Sequence, residues 1–198
     1  MPSSPPPAGP GGRSSLPPVE RRGLVGRREP VAIVLREHDP AWAQRFAIER
    51  QKIHAALGDR ALVVEHIGST SVVGLAAKPI VDICLAVPDS SDEAAYVPDL
   101  EALGYSIRVR EPDWHEHRML RTAARDVHLH VFTAGSGEIE RHLLFRDRLR
   151  RESADRALYE STKRVLAQQE WESMDDYATA KSDVVEEILA RARRAEWE

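Results

Sequence analysis

Two short apolar runs, Ala61 to Ile67 and Ile80 to Val87, bracket a stretch of small and polar residues, and this pairing constrains the fold more than any other feature. Each run has the length of a buried strand and is too short for a buried helix. Pro88 ends the second run, because proline has no N–H to give to a ladder. Between the runs, Gly68 to Pro79 reads as a turn region with room for one helical turn.

The other segments fit around this pair. Val31 to Leu35 is a β-branched run suited to a strand. Asp39-Pro40 then supplies an N-cap and a proline for the first helical position. Trp42, Phe46, Ile53 and Leu57 recur at helical spacing, and Gly58 suits a left-handed C-terminal cap. Asp89 to Leu103 predicts a second amphipathic helix closed by Gly104. Tyr105 to Arg110 alternates as a half-buried strand, and His117 to Arg121 and Val127 to Thr133 read as two strands joined at Ala123 to Asp126. Three helices are expected from Glu138 onward, with apolar faces at Leu143, Leu144 and Leu149, at Leu158, Val165 and Leu166, and at Tyr177, Val184, Ile188 and Leu189. Strands first and helices later predict an α/β (α+β) fold, a mixed sheet of about five or six strands with a C-terminal helical cap on one side.

At 198 residues the chain has the size of one domain. Residues 31–198 form that domain in this reading. Residues 1–30, rich in Pro, Gly, Ser and Arg, form a tail expected to be disordered. The 28 Lys and Arg against 32 Asp and Glu give a net charge of -4, which argues against a dedicated nucleic-acid binder but leaves room for a local basic cluster and a small anionic ligand. No apolar run approaches the length of a membrane helix. Cys84 is the only cysteine, so no internal disulfide can form, and a reducing cytoplasm is the expected compartment.

The chemistry concentrates between Glu65 and Asp82. A strand runs directly into Gly68-Ser69-Thr70-Ser71, where a glycine lets a ligand approach the backbone and hydroxyl and N–H groups can donate to phosphate oxygens. Lys78 adds a positive charge, and Asp82 on the next strand can reach a divalent cation bridging phosphate oxygens. The P-loop spacing is absent, since Lys78 follows Gly74 by four residues and precedes a proline. His66 is a candidate acid, base or ligand contact, with a satisfied buried histidine as the alternative. Ser69 lies outside any G-x-S-x-G elbow, so phosphate contact is preferred to nucleophilic attack, with a helix N-cap as the alternative. Glu65 points to the opposite face from His66 and reads as structural. Cys84, among Ile83, Leu85 and Ala86, reads as a small hydrophobe.

The run HIGSTSVVGLAAKPIVDI, the later VHLHVF, and LLFRDRLR followed by Tyr159-Glu160, Lys163, Tyr177 and Lys181 resemble the GrpB-like family, whose fold belongs to the nucleotidyltransferase superfamily. The resemblance runs from about Val31 to the C-terminus and implies a mixed sheet of the nucleotidyltransferase type. Members also occur fused to dephospho-CoA kinase. The superfamily pattern pairs a Gly-Ser turn with Asp-x-Asp or Asp-x-Glu on a strand and a third carboxylate on a later strand. Gly68-Ser69 and Asp82 match it, whereas Cys84 stands in the place of the second carboxylate.

His128 and His130, on one face of their strand, stand where the third carboxylate sits in that pattern, and with Asp82 they can hold a divalent metal (Mg, Mn or Zn). The alternative is hydrogen-bonded strand histidines. The resemblance also gives Arg146 a role in binding phosphate or in pairing with Asp147 to brace the crevice, and Lys163 and Lys181 a place on a positive rim; solvated helix faces are the alternative. Trp114 to Arg118 reads as a loop wall over the ligand, with His115 and His117 as further metal candidates or as spare exposed residues. Three functions follow. The first is an enzyme binding a nucleotide or other phosphorylated small molecule with a metal and passing a nucleotidyl group to an acceptor. The second is a module that binds a nucleotide or coenzyme A precursor without transfer, and the third is a metal-dependent hydrolase or ligase.

Overall fold

The structure, a computed structural model, describes residues 23–25 and 32–195. Helix α1 (Ala41–Leu57) starts where Asp39 caps it, Asp39 Oδ1 accepting the Ala41 N–H at 2.8 Å. Gly58 ends it at φ +56, a conformation that costs glycine nothing. Five strands follow: β1 (Val63–Ile67), β2 (Val81–Val87), β3 (Tyr105–Glu111), β4 (His117–Thr122) and β5 (Val127–Thr133). They form one mixed sheet in the order β1-β2-β5-β4-β3, with β2 and β5 parallel and the other neighbours antiparallel.

Side-chain alternation splits this sheet into two unlike faces. Val81, Ile83, Leu85, Leu129, Val131 and Leu120 pack with Trp42, Ile53 and Leu57 of α1 and Leu100 of the short α2 (Val97–Ala102). On the other face Cys84, Ala86, Ile67 and Phe132 meet Ile139 of α3 (Gly137–Arg151). Three more helices, α4 (Ser153–Leu166), α5 (Met174–Ala180) and α6 (Ser182–Ala195), complete the cap. Val72 and Leu75, from the turn between β1 and β2, tie that turn to Leu149, Tyr159 and Ile188 of the cap. Among the described residues, no helix is long and apolar enough to cross a membrane.

The structure departs from the sequence reading in several places. No strand forms over residues 32–35; Arg36 alone bridges Ala77, through backbone bonds of 2.8 and 2.9 Å. The helix expected over Asp89 to Leu103 is a 3-10 turn (Glu93–Ala95) and the six-residue α2, because Pro98 cannot give an N–H to a preceding turn and Tyr96, at φ -144, breaks the path. Tyr96 instead buries its ring and donates its hydroxyl to Ser90 O at 2.8 Å. The last expected helix is divided at Lys181 into α5 and α6.

Two departures reach the functional face. Most of the expected tail lies outside the described residues, but Gly23 to Val25 pair with the outer edge of β3, Val25 N–H donating to Arg108 O and Arg110 N–H to Gly23 O, both at 2.8 Å. The expected apolar face of α4 points outward, with Leu158 37% and Val165 59% exposed, while Asp155, Tyr159 and Lys163 are buried. That inversion is stable because each charge has partners: Asp155 accepts from Arg148 Nε at 2.6 Å and pairs with Arg191 at 2.8 Å, and Lys163 reaches backbone and hydroxyl oxygens beyond the helix.

Candidate functional site

The turn after β1 is built around Gly68. Its neighbour Ile67 is paired with Asp82 across β1 and β2, which brings the turn against the aspartate. Gly68 has φ +67, and a Cβ there would sit 2.5 Å from Asp82 Oδ2. Any side chain would displace the carboxylate or the turn. Ser69 to Ser71 then make one 3-10 turn, and Ser71 Oγ donates to Gly68 O at 2.6 Å. Thr70 Oγ1 donates to Ile80 O at 3.1 Å and lies 3.0 Å from His66 Nε2, whose N–H it can accept.

Parallel pairing of β2 and β5 sets Asp82 beside His128 and Cys84 beside His130. Asp82 Oδ1 lies 3.5 Å from His128 Nδ1 and 3.7 Å from His130 Nε2. Candidate ligand atoms of these three residues all fall within 4.8 Å of one another. Two ligands each bonded to one tetrahedral ion stand about 3.4 Å apart, so the spacing suits a shared cation. Burial acts to raise the Asp82 pKa, but hydrogen bonds and positive charge from His128 and His130 outweigh it and hold the carboxyl well below the usual carboxylate range. Cys84 is fully buried, and burial pushes its thiol up to about 12, so it supplies packing and no thiolate ligand.

A cavity of about 510 Å³ opens from this group toward the helical cap. Gly68, Ser69, Thr70, Lys78, Asp82, His128, His130 and Lys163 all line it. At the helical end three lysines gather around two tyrosines. Lys163 Nζ donates to Ser69 Oγ at 3.1 Å and to Ala76 O, and lies 4.9 Å from the Tyr159 ring centre. Lys78 and Lys181 sit 4.8 and 4.7 Å from the Tyr177 ring centre. Burial, then the charge of Lys181, pushes Lys163 down to about 7 and Lys78 down to about 8. Crowded, partly desolvated ammonium groups of this kind gain from an anion among them. Arg108, Arg121 and Arg125 add cationic groups to the opposite wall, with Leu24 and Met119.

Of the remaining candidates, His66 and Arg146 lie behind the wall. His66 projects to the α1 face, where it stacks on Phe46 with ring centres 4.8 Å apart, and burial lowers its pKa to about 4. It is absent from the cavity lining and sits beneath Thr70, which does line it. Arg146 is also outside the wall: it binds Glu65 at 2.7 Å, His66 O at 3.2 Å and Asp147 at 2.8 Å, tying α3 to β1. Lys181 joins the rim. His117 is buried on β4, 3.1 Å from His130 Nδ1, whereas His115 stays at the exposed hairpin tip. The residue-by-residue reading missed Arg108, Arg121, Arg125 and Leu24 as wall residues, and had Tyr177 on an apolar helix face. The excess of arginines on β3, β4 and their following turn was the signal for the first three.

Comparison with known proteins places this geometry in a family. A family model described as GrpB protein matches residues 32–191. A UPF0157 protein of Halalkalibacterium halodurans is 53% identical over 170 residues, covering 85% of this chain and 87% of that relative. The crystal structure of the conserved protein GrpB from Enterococcus faecalis aligns with a TM-score of 0.74 at 35% identity, covering 83% of this chain and 100% of that one. A dephospho-CoA kinase of Mycolicibacterium paratuberculosis is 30% identical over 192 residues, covering 83% of this chain but 46% of that protein. The nucleotidyltransferase-type reading is consistent with this membership. From these matches and the shared fold, the chain belongs to the GrpB family.

Proposed function

We propose that this protein binds a nucleotide or another phosphorylated small molecule together with a divalent cation, in the cavity between the sheet and the helical cap. The observation that carries the reading is the side-chain-free approach of Gly68 to Asp82, at one end of a cavity whose other walls hold Lys78, Lys163, Lys181, Arg108, Arg121 and Arg125. One carboxylate and a cationic lining fit a ligand carrying several negative charges. Asp82, His128 and His130 would hold the cation. With two imidazoles and one carboxylate, the donor set suits Mn²⁺ or Zn²⁺ better than Mg²⁺, which prefers oxygen and water. The ion, when bound, supplies charge neutralisation on phosphate oxygens.

The chain's own groups do the rest. Ser69, held by the Lys163 ammonium, presents its hydroxyl to the cavity. Lys78, Lys163 and Lys181 bind and orient the anion, and Tyr159 and Tyr177 keep those ammonium groups together and limit their contact with water. In an enzyme reading, the same groups fix a phosphoryl group for nucleotidyl transfer to an acceptor, by positioning and electrostatics. A second reading, binding without transfer, is favoured by one observation: the buried Cys84 thiol occupies the place of the second carboxylate. The similarity to a dephospho-CoA kinase extends the candidate ligands of this reading to coenzyme A precursors. In either reading a reducing cytoplasm is the expected compartment, an expectation supported by a single cysteine that can form no internal disulfide.

Calorimetric titration of the full chain with ATP and with pyrophosphate, each with and without Mn²⁺, tests the reading. The expected result is metal-dependent binding that Asp82→Asn weakens by at least about 10-fold. Pyrophosphate release from ATP that disappears in Asp82→Asn would select the enzyme reading, and binding without release selects the module. No binding of either anion at millimolar concentration would overturn both.

A further inference from the structure

The hairpin between β3 and β4 closes on the paired residues Glu111 and His117. Its tip holds two non-glycine residues at positive φ, His115 at 54° and Glu116 at 50°, a conformation that persists only where surrounding contacts enforce it. Those contacts are present. Ser90 Oγ donates to Glu116 O at 2.8 Å, and the buried Arg118 donates to Glu93 Oε1 at 2.7 Å. The result is that His117 is carried inward and held there, its ring against Phe132 with centres 4.8 Å apart.

From that position His117 links a surface carboxylate to the cation group. Its Nδ1 lies 2.8 Å from Glu111 Oε2 and its Nε2 lies 3.1 Å from His130 Nδ1. The two imidazole planes differ by 12° with centres 5.3 Å apart, which is side by side, the arrangement an in-plane N–H···N bond requires. A carboxylate offers only acceptors, so the hydrogen on the His117 ring sits at Nδ1. Its buried Nε2 is then an acceptor, and the bond to His130 must be donated by His130 Nδ1–H. That makes His130 Nε2, the atom turned toward Asp82, the nitrogen that meets an ion, the ion taking the place of the hydrogen this nitrogen gives Asp82 when no ion is bound.

We propose that Glu111 and His117 are positioning residues that fix His130 as its Nδ1–H tautomer and thereby present Nε2 to the divalent cation shared with Asp82 and His128. This rests on the cation reading above. It adds two residues that touch neither ion nor anion, and it sharpens the ion class to a first-row ion that accepts imidazole nitrogen.

Co²⁺ serves as the probe, its visible absorption reporting both affinity and nitrogen coordination in the full chain. His117→Phe keeps the stack on Phe132 but removes the acceptor, and weakens Co²⁺ binding by about 10- to 100-fold. His117→Gln, whose amide oxygen can accept the His130 hydrogen, recovers most of that loss, a rescue that packing alone does not explain. Glu111→Ala, at a partly exposed site, gives a smaller loss in the same direction. In the metal-free protein, imidazole nitrogen NMR is expected to find hydrogen on Nδ1 of both His117 and His130. Co²⁺ affinity and spectrum unchanged in both His117→Phe and Glu111→Ala would overturn the inference and leave the cation reading standing, as would a hydrogen on Nε2 of His117. Absence of Co²⁺ binding by the unaltered chain removes the cation reading and this inference with it.

Discussion

Asp82 and Ile83 are neighbours on β2, yet they belong to regions organised by different forces. Ile83 is fully enclosed in the α1 and α2 core with Leu85, Leu129 and Val131, where removal from water and close packing do the stabilising. Asp82, one residue away on the other face, opens into the cavity between His128, His130 and the Gly68 turn. Around its carboxylate, hydrogen bonds and opposed charges from the two imidazoles take the place that apolar packing has around Ile83. The packed face therefore sets how stable the molecule is, and the open face sets what it can hold. Partly desolvated lysines crowded near one carboxylate at a cavity wall, with Lys163 and Lys78 pushed down to about 7 and about 8 mainly by burial, are the kind of perturbed group that binding sites collect.

The sharpest way to break this division is to cut into the packed face. Ile83→Ala removes a fully buried side chain and is expected to lower stability by about 2–5 kcal/mol in urea unfolding, while the folded protein keeps its Mn²⁺ and pyrophosphate affinity. A parallel collapse of ligand binding would show that the two faces are not separable.

A smaller effect belongs to the lysine end. Lys163 and Lys78 are pushed down to about 7 and about 8, so both lose charge in the free protein as pH rises from 7 to 9, whereas a bound anion needs them protonated. Pyrophosphate affinity should fall several-fold over that range, with proton uptake on binding at pH 8 visible as a buffer-dependent enthalpy. Lys163→Met should weaken binding and shrink the uptake, without the stability loss of Ile83→Ala, because it replaces a desolvated ammonium with an apolar chain. Uptake of the same size in Lys163→Met would assign the titration elsewhere.

The smallest effect comes from His66, which sits on the packed face but supports the open one. Burial lowers its pKa to about 4, below the 6.5 of an exposed ring, so the unfolded chain binds the extra proton first. Its contribution to stability is present above pH 6.5 and is lost as pH falls toward 4. His66→Gln should flatten that acid limb in thermal melts. An unchanged limb would leave His142, pushed down to about 3 mainly by burial, as its source.

The β1, turn and β2 block could be read in the sequence because its signals are local. Two apolar runs, a glycine between them and a proline after them restrict few residues each, and strand parity puts His128 and His130 on one side without knowledge of anything distant. His66 shows the limit of the same argument. Parity separates it from Glu65 and Ile67, but only the pairing of Ile67 with Asp82 reveals that His66 is on the side away from the aspartate. On α4, apolar periodicity favoured Leu158 and Val165 as the buried face, and the helix instead buries Asp155 and Lys163.

What the sequence determined by itself is the five strands of the sheet, though not the absence of a sixth at residues 32–35, and the family to which the residues of the Gly68 to Asp82 block point, because backbone sterics and the period of side-chain direction act over a few residues. The tertiary structure decided which polar groups go inside. Burying Lys163, His117 or Asp155 is tolerable only where oxygen and nitrogen atoms from elsewhere in the chain, at Ser69 and Ala76, at Glu111 and His130, at Arg148 and Arg191, arrive to replace water. Periodicity carries no information about those arrivals, since each partner is supplied by another element of the fold.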